Sequence, residues 1–138
     1  MVYLAFLIYF LFFSEEYGRV AVAEDRAYRY NLVPFVEIRR FWTYREQLGA
    51  VAFLTNIVGN VLAFIPYGFI LPVIFRRLRN GFLVILSGFC VSLCVEVIQL
   101  VAKVGSFDVD DLLLNTVGVA AGYLVFFICN QLRRKYNG

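Results

Sequence analysis

The chain has 138 residues, of which 62% are hydrophobic and 17% are charged, and its formal net charge is +3. A soluble domain is about half apolar and about a quarter charged, so this composition indicates one integral membrane domain. The chain contains no histidine, which excludes catalytic triads, histidine general bases and histidine-ligated zinc. Its basic residues are clustered, which favours membrane topology signals over nucleic-acid binding.

The cysteines Cys90, Cys94 and Cys129 all lie inside apolar runs. The spacing of Cys90 and Cys94 matches neither a redox motif nor a zinc motif. We therefore expect all three to be small buried side chains.

Apolar runs predict four transmembrane helices in a single domain, residues 1–138. The first run, Met1 to Phe13, rises only about 20 Å and reaches membrane length if its helix continues to Tyr17. A cleaved signal peptide is the alternative, since Ala21-Val22-Ala23 resembles a cleavage site, but no basic segment precedes the run. We favour a retained helix, and the predicted spans are residues 1–17, 52–75, 81–104 and 112–132.

The loop before the second span, residues 14–50, is the longest polar segment. Pro34 disfavours a helical Val33, so the sequence from Asn31 to Phe35 is predicted to be extended or to form a turn. Beyond Pro34, apolar residues recur near helical spacing between charged ones; they are Phe35, Ile38, Phe41, Trp42 and Leu48. This pattern predicts an amphipathic helix, which either lies in the membrane interface or packs on the bundle as a solvated loop helix.

Two features of the spans concern helix geometry and packing. Pro66 and Pro72 in the second span deprive two carbonyls of their helical donors, which predicts a kink or an unwound turn. Gly118 and Gly122 in the fourth span form a small-residue face for close helix contact. The predicted fold is therefore all-α: an integral-membrane four-helix bundle with an interfacial amphipathic helix in the first loop.

Basic residues without acidic neighbours flank one pair of helix ends: Arg76, Arg77, Arg79, Arg133, Arg134 and Lys135. The remaining basic residues are spread mostly through the long first loop on the opposite side. The density of charge next to the helix ends predicts that the Arg76 side is cytoplasmic, with both termini inside.

Alternation of the spans brings polar side chains of three helices to the opposite, non-cytoplasmic end. They occur at the start of the second span, near the end of the third and at the start of the fourth, and within each span they share a helix face. We predict one binding site there, with first-loop arginines available to a lipid phosphate. The candidate binding residues are Asn56, Asn60, Glu96, Gln99, Asp108, Asp110, Asp111, Asn115, Arg39 and Arg40.

Glu96 lies about 12 Å from the end of its helix. A carboxylate at that depth must be paired or stay protonated. The expected partners are Asn60, Gln99, Asn115 or an arginine of the first loop, Arg39 or Arg40. The alternative is a neutral Glu96 that hydrogen-bonds within the bundle and only joins helices.

Asp108 is the expected N-cap of the fourth helix, and the helix dipole favours Asp110 and Asp111 in its first turn. Three carboxylates exceed what capping needs. Their mutual repulsion implies a raised pKa, an arginine partner or a divalent cation, with Asp108, Asp110 and Asp111 as the candidate metal ligands. No other cofactor is implied.

Five segments within residues 28–125 carry a family resemblance. They are Asn31-Leu-Val-Pro-Phe35, Asn56-Ile-Val-Gly-Asn60, Ile65-Pro-Tyr-Gly-Phe69, Ser92-x-x-x-Glu96-x-x-Gln99 and Phe107-Asp-Val-Asp-Asp111-x-x-x-Asn115-x-x-Gly118-x-x-x-Gly122. Together they resemble the VanZ-like family of small bacterial membrane proteins. The resemblance implies a place in the bacterial cytoplasmic membrane and a role in the cell envelope, because the namesake of the family contributes to resistance to the glycopeptide teicoplanin.

The sequence leaves three functions open. The first is an envelope protein whose outer-leaflet pocket binds a lipid-linked envelope precursor, the glycopeptide or another amphiphile. The second is a cation-dependent membrane enzyme acting on a lipid phosphate, with Glu96, Asp108 and Asp111 as catalytic candidates. The third is a transport subunit with Glu96 as a proton site, for which the apolar cytoplasmic halves provide a poor pathway. Nucleic acid is not an expected partner.

Overall fold

The computed structural model describes residues 2–13, 30–44, 46, 54–102 and 106–136. Within these residues the fold is an all-α bundle, as predicted. The helices are α1, Val2–Phe13; α2, Val36–Thr43; α3, Gly59–Ile74; α4, Gly81–Ala102; and α5, Val109–Tyr136. A π-helical turn, Leu54–Val58, leads into α3, and a 3-10 turn, Arg76–Leu78, joins α3 to α4.

Among the described residues, three helical segments are long and apolar enough to cross a membrane: Asn56–Ile74, α4 and α5. The helix α1 has 12 residues and rises about 18 Å. The residues that would complete the first predicted span, 14–17, lie outside the described residues, so that span stays a prediction. The helix α5 begins three residues before the predicted start and extends to Tyr136.

The helix α5 packs against both α3 and α4. A Cβ added at Gly118 or Gly122 would overlap the backbone carbonyl of Val61 or Ile65 in α3. Gly68 of α3 lies equally close to the α5 backbone. Such close approach is possible only where small residues leave room for two helix backbones, so the predicted glycine face is confirmed.

The hydrophobic core joins α1 to the other three long helices. Leu7 of α1 is buried together with Ala63, Phe64, Val84 and Val119. The hydroxyl of Tyr3 also donates a hydrogen bond to the carbonyl of Ala63, at 2.7 Å. The described part of α1 is therefore packed on the bundle.

The helix α3 stays helical through Pro66 and Pro72. The unwound turn predicted at these prolines is therefore wrong, whereas the alternative of a kink stays a prediction. A π-helical turn, Leu54–Val58, lies instead just before α3. Membrane helices tolerate proline where neighbouring groups satisfy the freed carbonyls.

Cys90, Cys94 and Cys129 are exposed on the surface of the bundle. The expectation that they would be buried is wrong. The lipid-facing surface of a membrane bundle is as apolar as its interior, so hydrophobic neighbours in sequence do not distinguish the two environments.

A short parallel strand pair ties the first loop to the start of α5. The strand β1, Tyr30–Asn31, pairs with β2, Phe107–Asp108, so that Asn31 lies opposite Asp108. The chain then turns through Pro34 and Phe35 into α2, which agrees with the extended and turn conformations predicted there. The strand at Phe107 was not predicted.

The helix α2 confirms an amphipathic helix in the first loop. Phe41 is buried, whereas Arg39 and Trp42 on other sides of the helix are exposed. Leu48, the last apolar residue of the predicted pattern, lies outside the described residues.

Candidate functional site

Polar side chains of three helices meet at one end of the bundle, where α3 and α5 begin and α4 ends. We call this group the polar cluster; its members are Asn60, Ser92, Glu96, Gln99, Asp108, Asp110, Asp111 and Asn115. All of them are buried except Asp111, which is half-buried. Since unpaired buried polar groups are costly, the hydrogen bonds of the cluster determine what it does.

Asp108 caps α5. Its Oδ1 accepts a hydrogen bond from the backbone N–H of Asp110 at 2.9 Å, which is the capping role expected from the sequence. The same oxygen accepts a weaker bond from Nδ2 of Asn31 at 3.4 Å. Burial raises the pKa of the Asp108 carboxyl to about 6, and the negative charges of Glu37 and Asp110 add to that increase.

Glu96 binds the backbone at the start of α5. Its Oε2 accepts a hydrogen bond from the N–H of Asp108 at 2.9 Å, and the side chain is 2% exposed. The partners expected for Glu96 were all side chains, so this backbone partner was missed. The contact joins the end of α4 to the cap of α5.

Asp110 caps a different helix, α2. Its carboxylate accepts hydrogen bonds from the backbone N–H groups of Phe35, Glu37 (2.8 Å) and Ile38 (3.0 Å). Phe35 occupies the N-cap position of α2 with a positive φ of 67° and supplies no capping side chain. The carboxylate of Asp110 therefore satisfies N–H groups that have no partner within α2 itself.

The sequence carried one signal for this contact. The segment Pro34-Phe35-Val36 at the start of α2 contains no Ser, Thr, Asp or Asn, which are the residues that cap helices. A helix without its own cap needs an acceptor from elsewhere, although nothing local identifies Asp110 as that acceptor.

Two side-chain pairs connect α5 to its neighbours. Nδ2 of Asn60 donates to Oδ1 of Asp111 at 2.7 Å, which links α3 to α5. Nδ2 of Asn115 donates to Oγ of Ser92 at 2.9 Å, which links α5 to α4. Ser92 belongs to the family pattern but was not predicted as a site residue; its place one turn before Glu96 on the same helix face was the available signal.

The other predicted site residues lie beside the cluster or on α2. Asn56 is half-buried in the π-helical turn, one turn before Asn60. Arg40 forms an ion pair with Glu37 at 3.0 Å, and its guanidinium lies 5.2 Å from the ring centroid of Phe41. Arg39 is exposed on the same helix. Both arginines thus belong to the helix that Asp110 holds.

An open groove of about 520 Å³ lies beside α2, lined by residues 33–36, Ile38, Arg39 and Trp42. Its wall is apolar except for the guanidinium of Arg39. Sequence reasoning did not identify this groove, because its shape depends on the turn at Phe35.

Three carboxylates of the cluster hydrogen-bond to different parts of the molecule. Asp108 binds the start of α5, Asp110 the start of α2, and Asp111 the amide of Asn60. Among the described residues no three Asp, Glu or Cys side chains are grouped as ligands for one metal ion. A divalent cation, the catalytic roles of Glu96, Asp108 and Asp111, and the enzyme and transport functions therefore stay predictions from the sequence.

The part of the chain that the structure describes has three membrane-length helices with a buried polar cluster at one end, which defines a small multi-span membrane protein. The family model described as VanZ/LLP1 matches residues 1–130 of the chain. The chain is also 31% identical, over 133 residues, to Protein VanZ of Enterococcus faecium, and the match covers 94% of this chain and 71% of that protein. The chain belongs to the VanZ/LLP1 family, which confirms the resemblance seen in the sequence. No solved structure matches it.

Proposed function

We propose that this protein is a component of the bacterial cell envelope. In this proposal it binds a lipid-linked or amphiphilic envelope molecule at its polar end and thereby contributes to tolerance of glycopeptides such as teicoplanin. Membership of the VanZ/LLP1 family and the similarity to Protein VanZ of Enterococcus faecium support the envelope role.

The docking of α2 by Asp110 is the observation that carries the binding function. A carboxylate of α5 accepts three backbone N–H groups at the start of α2, and Phe41 of α2 is buried. The surface helix is therefore held in one position at the end of the bundle. A surface that is already ordered loses less conformational entropy when a ligand binds.

The distribution of charge supports an outer-leaflet position for this surface. Arginines and lysine flank the opposite end of the bundle, in Arg76–Leu78 and the last turn of α5. Under the positive-inside rule that basic end is cytoplasmic, so the polar cluster and α2 face outwards. Glycopeptides and externally displayed envelope precursors meet the membrane on that side.

Antibiotic susceptibility tests the proposal. The chain is expressed in a teicoplanin-susceptible Gram-positive host, and the minimal inhibitory concentration is compared with that of a vector control. We expect the wild type to raise this concentration, and Glu96→Gln and Asp111→Asn to return it to the vector level. Each variant replaces a carboxylate of the cluster by an uncharged amide of the same shape.

Glu46→Gln is the matched control, because Glu46 is exposed and lies outside the cluster. It should keep the wild-type resistance. Immunoblots of membrane fractions establish that all variants are present in equal amounts. Full resistance in both cluster variants, or none in the wild type, would contradict the proposal.

A further inference from the structure

We infer that the groove beside α2 binds an anionic membrane phospholipid, with the phosphate at Arg39 and an acyl chain against the apolar wall. The inference rests on the proposed function and specifies the class of ligand that the polar end takes. Three features of the molecule support it: the charges of α2, the exposed side chains of the groove and the position of Trp42.

Arg39 carries the charge that the groove presents. The neighbouring Arg40 is paired with Glu37 at 3.0 Å, whereas Arg39 makes no ion pair within the described part of the chain. The N–H groups at the start of α2, which would otherwise attract an anion, are bound to Asp110. An anion at this surface is therefore recognised by the guanidinium of Arg39, whose planar fork suits a phosphate.

The rest of the groove suits hydrocarbon. Val33, Phe35 and Trp42 are 61%, 64% and 60% exposed, and all three line the groove together with Arg39. The volume of about 520 Å³ lies within the range of roughly 300–1,000 Å³ that is typical of small-molecule sites. A free phosphate would leave this apolar wall in contact with water, whereas a lipid uses both the wall and the charge.

The composition of the groove also fits the membrane interface. Tryptophan and arginine are favoured at headgroup depth, where an aromatic ring contacts acyl carbons and a cation contacts phosphates. The helix α2 follows directly from a strand that is tied to the start of the membrane-length helix α5. The groove therefore lies at the end of a spanning helix, within reach of lipid headgroups.

Trp42 provides the measurement, because it is the only tryptophan of the chain. The full-length protein is placed in nanodiscs of phosphatidylcholine with a minor fraction of phosphatidylglycerol. Two preparations have the same lipid composition. In one, the phosphatidylglycerol carries bromine on its acyl chains; in the other, an equal mole fraction of the phosphatidylcholine does. Bromine quenches tryptophan fluorescence on contact, so the comparison reports which lipid occupies the groove.

We expect stronger quenching by brominated phosphatidylglycerol than by brominated phosphatidylcholine. The difference should correspond to about fivefold enrichment of phosphatidylglycerol in the groove, because a basic residue at an anionic surface contributes roughly 1 kcal/mol. Arg39→Gln should remove the difference between the two preparations. Arg39→Lys keeps the charge but loses the planar fork, so it should retain a smaller difference. Arg77→Gln, the matched control, removes the same charge at the opposite end of the bundle, where Arg77 is exposed in the turn between α3 and α4. It should behave like the wild type because this turn lies away from the groove.

Equal quenching by the two lipids in the wild type, or an undiminished preference in Arg39→Gln, would overturn the inference. Loss of the preference on adding inorganic phosphate would identify a site for free anions and would also overturn it. The quenching assay contains no antibiotic and is independent of the susceptibility test. A lipid preference without resistance refutes the proposed function alone, and resistance without a lipid preference refutes this inference alone.

Discussion

Asp108 connects three parts of the molecule. Its Oδ1 caps α5 through the N–H of Asp110, its own N–H donates to Glu96, and its backbone lies opposite Asn31 in the strand pair. The residue is buried at this junction, with 5% of its surface exposed. The raised pKa of its carboxyl is the consequence of burying it there.

This pKa predicts a pH-dependent stability. The pKa of Asp108 is about 6 in the folded protein, compared with 3.8 for an aspartate that is not buried. Folding therefore favours the protonated carboxyl. The stability contributed by that proton is fully present below pH 3.8 and is lost as the pH rises through about 6. In thermal unfolding of the detergent-solubilised protein, we expect the wild-type melting temperature to decrease across this window.

Asp108→Asn isolates the effect. The amide keeps an oxygen that can accept the N–H of Asp110, but it does not titrate. Its melting temperature should decrease less than that of the wild type between the same pH limits. Glu46→Gln, at an exposed position, should follow the wild type, and parallel curves for the wild type and Asp108→Asn would show that Asp108 does not titrate in this range.

At the scale of elements, α2 depends on contacts from other helices. It has 8 residues, and isolated helices shorter than roughly 12–15 residues are marginal in water. Asp110 satisfies N–H groups at its start, and Phe41 anchors it by burial. The helix is therefore stabilised more by tertiary contacts than by its own local sequence.

Asp110→Ala should release α2 while the spanning helices stay folded. It removes the acceptor of three N–H groups, and a hydrogen bond to a charged group contributes on the order of 1.5–3 kcal/mol. Hydrogen–deuterium exchange read by mass spectrometry should show faster exchange in peptides that contain α2 and unchanged exchange at the centres of α4 and α5. Asp110→Asn keeps one acceptor oxygen and should give an intermediate rate. Full protection of α2 in Asp110→Ala would mean that Phe41 alone is sufficient to dock the helix.

The same contact shows how far the sequence could predict the site. The apolar run of α4, the cap at Asp108 and the close packing at Gly122 follow from patterns within a few residues. The contact between Asp110 and Phe35 joins positions 75 residues apart, and no local pattern encodes it beyond the missing cap of α2. The hydropathy of the sequence also failed to predict that Cys90 is exposed, because the lipid and the protein interior are equally apolar.

At the scale of the whole molecule, the two ends of the bundle differ in charge. The 3-10 turn between α3 and α4 contains Arg76 and Arg77, and the last turn of α5 contains Arg133, Arg134 and Lys135. The other end holds the buried carboxylates and amides of the polar cluster. Basic residues close to helix ends are retained on the cytoplasmic side, whereas acidic residues contribute little to orientation.

Thiol labelling of two exposed positions tests this orientation. Arg77 is exposed at the basic end and Leu32 is exposed in the turn between β1 and α2. In a background in which Cys90, Cys94 and Cys129 are replaced by alanine, Leu32→Cys should react with a membrane-impermeant maleimide in intact cells. Arg77→Cys should react only after the membrane is permeabilised. The background is suitable because all three native cysteines are exposed on the bundle surface, where replacing them leaves no cavity.

The labelling pattern decides which side of the membrane the groove beside α2 and the polar cluster face. If Leu32→Cys is the position labelled in intact cells, the groove beside α2 faces the compartment in which a glycopeptide meets the membrane. The reverse pattern would turn the polar cluster towards the cytoplasm and would refute an outer-leaflet site, although the packing of α3, α4 and α5 would be unchanged. The charge at the helix ends determines the orientation in the membrane, whereas the hydrogen bonds of the cluster stabilise the architecture. The predicted orientation can therefore be wrong while the architecture is correct.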